Sequence, residues 1–129
     1  MADVQRQLDA ELTVAHAISL AWFEAMSAIR DSGGTIRIGE LRQALDEVTS
    51  SLSRRLDRME EHGLVHRAVP TRDAGNDKRA ITVTLTASGR ALWREANITY
   101  RRVVQQRFAS RLTDTDVAAL HRVLGKALR

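Results

Sequence analysis

The chain has 129 residues, 43% of them apolar and 28% charged, with a net charge of +4 at pH 7. That length allows one domain with a real core, and the composition is not that of a disordered chain. It contains no cysteine, which excludes disulfides, cysteine-ligated zinc and a thiol redox switch. Eighteen of the 20 basic residues are arginine, a bias toward bidentate contact with phosphate or guanine over the point charge of lysine. The start of the chain lacks a basic-then-apolar leader, and no apolar run reaches the ~20 residues of a membrane span. The expectation is a cytoplasmic protein with no membrane partner.

In chain order, residues 4–17 read as a helix with Val4, Leu8, Leu12 and Ala15 on one face. Ser19 can cap a second helix over 20–31, whose apolar positions include Trp22, Phe23, Met26 and Ile29. Gly33-Gly34 breaks it, and Thr35-Ile36-Arg37 reads as a short strand. A compact helix from 39 to 45 or 46 turns Leu41 and Leu45 inward. The turn 46–49 then leads to an arginine-rich helix, with Thr49 or Ser50 as its N-cap. Two short helices joined in this way, over about 39–62, form a helix-turn-helix.

The arginine-rich helix is the most telling segment. At about 100° per residue, Leu52, Leu56 and Met59 fall on one narrow face. Ser51, Arg54, Arg55 and Arg58 fall on an arc roughly opposite and to one side, and Asp57, Glu60 and Glu61 on the other flank. An apolar stripe fixes such a helix to the body while the guanidinium forks face phosphates and base edges. His62-Gly63 ends it, Gly63 being suited to a left-handed C-cap. Residues 64–69 read as a strand, 70–78 as a polar connector, and 80–85 as a half-buried strand of period two. Helix, strand, basic turn and strand make a winged helix, with the wing at about 65–85.

Beyond the wing, Thr86 or Ser88 begins a long helix running to about 111, close to 40 Å at 1.5 Å per residue. Leu92, Ala96, Tyr100, Val103 and Phe108 give it an apolar side, and Arg90, Arg94, Arg101, Arg102 and Arg107 take much of the rest. Thr113-Asp-Thr-Asp116 caps a last helix with Val117, Leu120, Val123, Leu124, Ala127 and Leu128 at three- and four-residue steps. The terminal helices, about 4–17 and 87–128, carry more apolar surface than the lobe can cover. A small monomer does not leave such stripes in water, so the ends are expected to pack together and against a second copy in a two-fold dimer.

Rival chemistries find little support. Of His16, His62, His66 and His121, only His62 and His66 fall at ligand spacing, and they straddle the end of a helix; the serines of 50–53 have no partner base or nucleophile elbow, and the glycines mark turns and not a phosphate loop. No catalytic residue, metal or cofactor is expected.

The ordered run Ile36-Arg-Ile-Gly-Glu-Leu41, Ser50-Ser-Leu-Ser-Arg54, Leu56-Asp-Arg-Met-Glu60, Gly63-Leu-Val, Arg67, Asp77-Lys-Arg79-Ala80, Val83-Thr-Leu-Thr86, Gly89-Arg and Leu112-Thr-Asp-Thr-Asp116 resembles the MarR (multiple antibiotic resistance regulator) family of bacterial transcription regulators. The resemblance covers nearly the whole chain. It implies a mainly α fold: a winged helix-turn-helix DNA-binding lobe with N- and C-terminal dimerisation helices, in one domain over 1–129. It also implies a homodimer on a pseudo-palindromic double-stranded DNA operator. Ser50, Ser51, Ser53, Arg54 and Arg55 match recognition-helix contacts, with Arg58 beside them. Asp77 and Arg79 match the wing pair, whose arginine enters the minor groove, and Arg72 and Lys78 would add phosphate contacts. Family members often hold an aromatic or phenolic effector between lobe and dimer helices, where His16, Trp22, Met26 and Trp93 would be the candidates here. Two departures stand out. Arg42 occupies a position usually held by alanine, and Asp46-Glu47 place negative charge before the recognition helix, where it repels phosphate unless the side chains point away or pair with a base such as Arg42.

The function so implied is sequence-specific transcriptional regulation, most simply repression relieved by a small effector. The alternatives are a winged-helix protein-interaction module and a ligand sensor with weak DNA binding.

Overall fold

Two helices open the chain in the computed structural model, which describes residues 2–69 and 81–109, together with 119, 122 and 123. The first, α1 (Ala2–His16), buries Leu8 and Leu12. Ala15 does not join them and is exposed. The helix ends one residue later, and Ala17 takes a positive φ of 57° that turns the chain away. The Ser19 hydroxyl then accepts the Trp22 backbone N–H at 3.1 Å, capping α2 (Leu20–Asp31) as its chemistry predicts. Helix α2 buries Phe23, Ala25, Met26, Ser27 and Ile29, and forms the floor of the lobe.

A turn at Gly33 and Gly34 leads into β1 (Thr35–Arg37), then α3 (Ile38–Leu45), α4 (Thr49–Glu61), β2 (Val65–Ala68) and β3 (Thr82–Leu85). The three strands form one antiparallel sheet in the order β1-β3-β2. Ile36 lies opposite Val83, and Val65 opposite Leu85. All four are buried, as the period-two pattern of the strands requires. This is a winged helix-turn-helix. The wing's connecting segment, 70–80, lies outside the described residues.

The cap of α4 is not Thr49 or Ser50. Val48 occupies the N-cap with extended dihedrals and makes no side-chain capping bond, so Thr49 is already the first helical residue. The preceding turn decides this: Asp46 takes a left-handed conformation (φ 51°, ψ 50°) to close α3, which leaves only two further residues before α4 begins. At the other end Gly63 has φ 73°, a value L side chains rarely adopt, and its N–H reaches back to the Glu60 carbonyl at 2.9 Å.

Helix α5 (Ala87–Ala109) is 23 residues long, about 34 Å. Thr86, not Ser88, caps it. The Thr86 hydroxyl accepts the Gly89 N–H at 3.0 Å and donates to the Gly63 carbonyl at 2.5 Å. One side chain thus fixes the start of the long helix to the end of α4.

The main core joins α2, α3, α4, the sheet and the first half of α5 through Phe23, Met26, Ile29, Leu41, Leu52, Leu56, Met59, Val65, Val83, Leu85 and Trp93. A second cluster, Leu8 with Val103 and Val104, packs α1 antiparallel to α5. Along that seam Glu11 pairs with Arg102 at 2.9 Å, and His16 Nε2 shares a hydrogen bond with Thr99 Oγ1 at 2.7 Å. The two terminal segments therefore pack on each other within one chain. Of the expected last helix, Ala119, Arg122 and Val123 are described and helical. The remainder lies outside the described residues. Among those described, no single helix is long and apolar enough to cross a membrane.

Candidate nucleic-acid interface

Helix α4 is held by Leu52, Leu56 and Met59, each at most 1% exposed. Fixing that stripe in the core sets the rotation of everything else on the helix. Ser50, Arg54 and Arg58 come out exposed, and Ser51 and Ser53 half-buried. Between the start of α2 and this helix runs a cleft of about 240 Å³ lined by Ser19, Ala21, Trp22, Ser51, Arg54, Arg55 and Arg58. Trp22 also stands edge-on to His62, with ring centroids 5.3 Å apart. The outer surface of α4 is thus a basic, hydroxyl-bearing strip backed by a rigid floor. Its free donors suit anionic oxygens and base edges.

Arg55, expected at the duplex with its neighbours, is instead used inside the protein. Its guanidinium forms a two-pronged pair with the Glu47 carboxylate, 2.8 Å from Nη1 to Oε2, and only 10% of its side chain is exposed. Glu47 therefore pairs with Arg55 and not with Arg42, and its negative charge is neutralised before it can oppose phosphate. Glu24 on α2 senses the same pair. Loss of hydration raises its carboxyl above the ordinary value, Arg55 opposes the shift and Glu47 adds to it. Glu47 thus holds the Arg55 guanidinium of the recognition helix, with the Glu24 carboxyl within electrostatic reach of the pair.

Two acids on the far flank of α4, to which helical spacing alone assigns no role, bind the wing strand. Asp57 and Glu60 both bind Arg67 of β2: Arg67 Nε donates to Glu60 at 2.9 Å, Nη2 to Asp57 at 2.5 Å, and the Arg67 backbone N–H to Glu60 at 3.2 Å. This clamp sets the angle between the reading helix and the wing strand. The usable signal was two acids at a three-residue step on α4 followed, across a glycine turn, by a basic strand residue. The backbone bond from Arg67 is the first cause that holds the Glu60 carboxyl below its ordinary value of 4.5; burial opposes it and the Arg67 side chain reinforces it. A lowered folded pKa stabilises above the unfolded value and loses that stabilisation as pH falls through the folded one. The clamp is therefore expected to be intact at neutral pH and to open on acidification below about pH 4.5. Thermal melts between about pH 3 and pH 7 should show Glu60→Gln losing less stability on acidification than the wild type. Parallel acid profiles would remove Glu60 from this role.

The four residues considered for an effector lie in three different settings. His16 is on the α1–α5 seam, and Trp22 lines the arginine cleft. Met26 is fully enclosed and Trp93 is 4% exposed, both as core side chains. Trp93 donates its indole N–H to Ser27 Oγ at 2.8 Å, stacks parallel to Phe23 and carries the Arg30 guanidinium 4.0 Å above its ring. Of two clefts formed among the described residues, one is lined by Trp22 and neither by His16, Met26 or Trp93. The other cleft, of about 450 Å³, lies between α2, α3 and α5, walled by Phe23, Glu24, Ser27, Ala28, Asp31, Ser32, Ile36, Ala44, Leu45 and Tyr100. It depends on α5 crossing α2, a long-range placement with no local sequence signal.

Arg72, Asp77, Lys78 and Arg79 lie outside the described residues. Among the described residues, no group of three His, Cys, Asp or Glu side chains is placed to hold a metal ion.

Residues 17–80, the span from α2 through the helix-turn-helix, match the family model described as the MarR family. The multiple antibiotic resistance protein MarR of Escherichia coli strain K12 is 32% identical over 111 residues, which cover 86% of this chain and 74% of that protein. A crystal structure of a cysteine-to-serine mutant of E. coli MarR complexed with operator DNA is 29% identical with a TM-score of 0.73, covering 99% of this chain and 87% of that one. AbsC, a MarR family transcriptional regulator from Streptomyces coelicolor, shares the fold at 24% identity with a TM-score of 0.77, over 95% of this chain and 80% of its own. With the anchored arginine helix, the three-stranded wing sheet and the long helix all present in that order, the chain belongs to the MarR family.

Proposed function

We propose that this protein is a sequence-specific double-stranded DNA-binding transcriptional regulator, working as a two-fold dimer on a pseudo-palindromic operator. One observation carries the reading. The recognition helix is clamped to the core by Leu52, Leu56 and Met59, while Arg54 and Arg58 stand exposed on its outer side. That a structure of E. coli MarR, similar to this chain in fold, is complexed with operator DNA supports duplex binding here. Ser50, Ser51, Ser53, Arg54 and Arg58 are the proposed major-groove set. Arg79 is the proposed minor-groove arm, with Asp77 proposed as its support and Arg72 and Lys78 proposed on phosphates. Arg55 positions the helix through Glu47.

The proposed unit is a single winged-helix domain over 1–129 whose terminal helices, about 4–17 and 87–128, pair with a second copy. Val14 on α1 and Ile98 on α5 are 88% and 71% exposed, apolar surface that a partner helix would cover. Repression by exclusion of polymerase, in the cytoplasm and with no catalytic role, is the simplest mode of action. An effector would enter the cleft beside Phe23 and Tyr100. Its carboxylates, Glu24 and Asp31, disfavour an anionic guest.

A titration of duplex binding against salt tests the whole reading. If the dimer neutralises about six phosphates, log affinity should fall against log salt with a slope near −5. The reading helices of a two-fold dimer should span about 34 Å, so sequences selected from a random duplex pool should show two half-sites one helical turn apart. Salt-independent retention with no selected sequence would favour a protein-interaction module instead.

A further inference from the structure

Val48 is 68% exposed, an aliphatic side chain standing in water at the tip of the recognition helix. It is the N-cap of α4, and it makes no capping hydrogen bond. Serine, threonine, aspartate or asparagine at that position would satisfy a free helix N–H. The same chain uses that solution elsewhere: Ser19 caps α2 and Thr86 caps α5, accepting N–H groups at 3.1 and 3.0 Å. A valine here contributes neither burial nor capping. Its exposed chain neighbours are Asp46, Thr49 and Ser50, and it stands at the start of the helix whose Ser50 and Arg54 are assigned above to the duplex.

In a helix-turn-helix the first residues of the second helix approach the base edges. The base-edge group in the major groove that an aliphatic side chain complements is the C5-methyl of thymine. We propose that Val48 is a specificity-determining residue that packs on a thymine methyl at one position of each half-site. This rests on the duplex-binding reading, and the lost helix cap is the cost of placing an apolar contact there. A valine touching only sugar and phosphate would bring no thymine requirement, which separates the two uses of the same exposed side chain.

Deoxyuridine differs from thymidine only by that methyl. Starting from an operator selected from a random pool, each thymine is replaced in turn by deoxyuridine and affinity is read by fluorescence anisotropy. One symmetry-related pair of positions should weaken wild-type binding by about fourfold for each methyl, and about fifteenfold when both half-sites are changed, the effect of burying one methyl group per site. Val48→Ser should bind the thymine and deoxyuridine operators equally at that pair. It should also melt a few degrees higher, because its hydroxyl restores the cap. Val48→Thr, with one methyl kept and the fold undisturbed, should retain part of the discrimination. Wild-type protein that binds the operator tightly yet ignores every thymine-to-deoxyuridine change would overturn the role of Val48 and leave duplex binding standing. Absence of any salt-sensitive duplex binding would instead remove the function on which the role depends.

Discussion

An Arg54→Ala protein is expected to fold as the wild type does and to lose operator affinity by at least about thirtyfold. Arg54 is exposed, so its removal leaves no cavity and strands no buried partner. Its neighbours Leu52 and Leu56 hold the helix in place whether or not the guanidinium is there. The loss falls wholly on the bound state. A guanidinium fork on a guanine edge is worth about 1–3 kcal/mol, and a two-fold dimer presents it twice, so about 2–6 kcal/mol leaves the complex. Arg54→Lys should recover part of the affinity through charge but little of the sequence preference, since an ammonium cannot make the planar two-point contact. The comparison is a mobility-shift titration on the selected operator beside a thermal melt of each variant. Wild-type affinity in a folded Arg54→Ala protein would refute the placement of this helix on DNA. Arg55→Ala should behave differently: the melt should change first, because Glu47 loses the partner that covers its charge.

Gly89→Ala is expected to destabilise the protein by about 3 kcal/mol or more, a drop of about 10 °C in melting temperature. In an isolated helix the same change would stabilise by about 1 kcal/mol, so even the sign is informative. Gly89 lies in the first turn of α5, and a Cβ there would sit 2.1 Å from the Leu64 carbonyl oxygen and 3.0 Å from its carbon. Backbone cannot swing aside as a flexible side chain can. The Leu64 carbonyl is also held, accepting the Thr86 N–H at 3.0 Å, while Gly89 donates to the Thr86 hydroxyl. Relief requires α5 to lift from the lobe, which breaks the joint between the dimer helices and the reading head. Thermal or urea melts decide it, and a Gly89→Ala protein as stable as the wild type would disprove the close approach.

Much of this architecture was legible in the chain because it is written at short range. The spacing of Leu52, Leu56 and Met59 located the buried face of α4, and the alternation at Val83 and Leu85 located that of β3. Ser19 and Gly63 marked helix ends through chemistry that acts within three or four residues. The misplacements share the opposite character. Val48 displaced Thr49 and Ser50 as the cap because the left-handed turn at Asp46 fixed where α4 could begin. Arg55 shares an arc with Arg54 and Arg58, but angle on a wheel says nothing of a carboxylate eight residues earlier folding back over it.

By itself, then, the sequence determined the order and kind of the elements, the buried stripe of each and the basic character of the reading helix. Those properties follow from helical and strand periodicity and from the few residues that start or stop an element. Only the tertiary structure decided which charges remain available. It committed Arg55 to Glu47 and Arg67 to Asp57 and Glu60, while leaving Arg54 and Arg58 outward. It also brought the Leu64 carbonyl against Gly89 and the Glu24 carboxyl beside the Glu47–Arg55 pair. A charge is free or spent according to its neighbours in space, and those neighbours are fixed when distant segments pack, not by the local pattern that places each residue on its own helix.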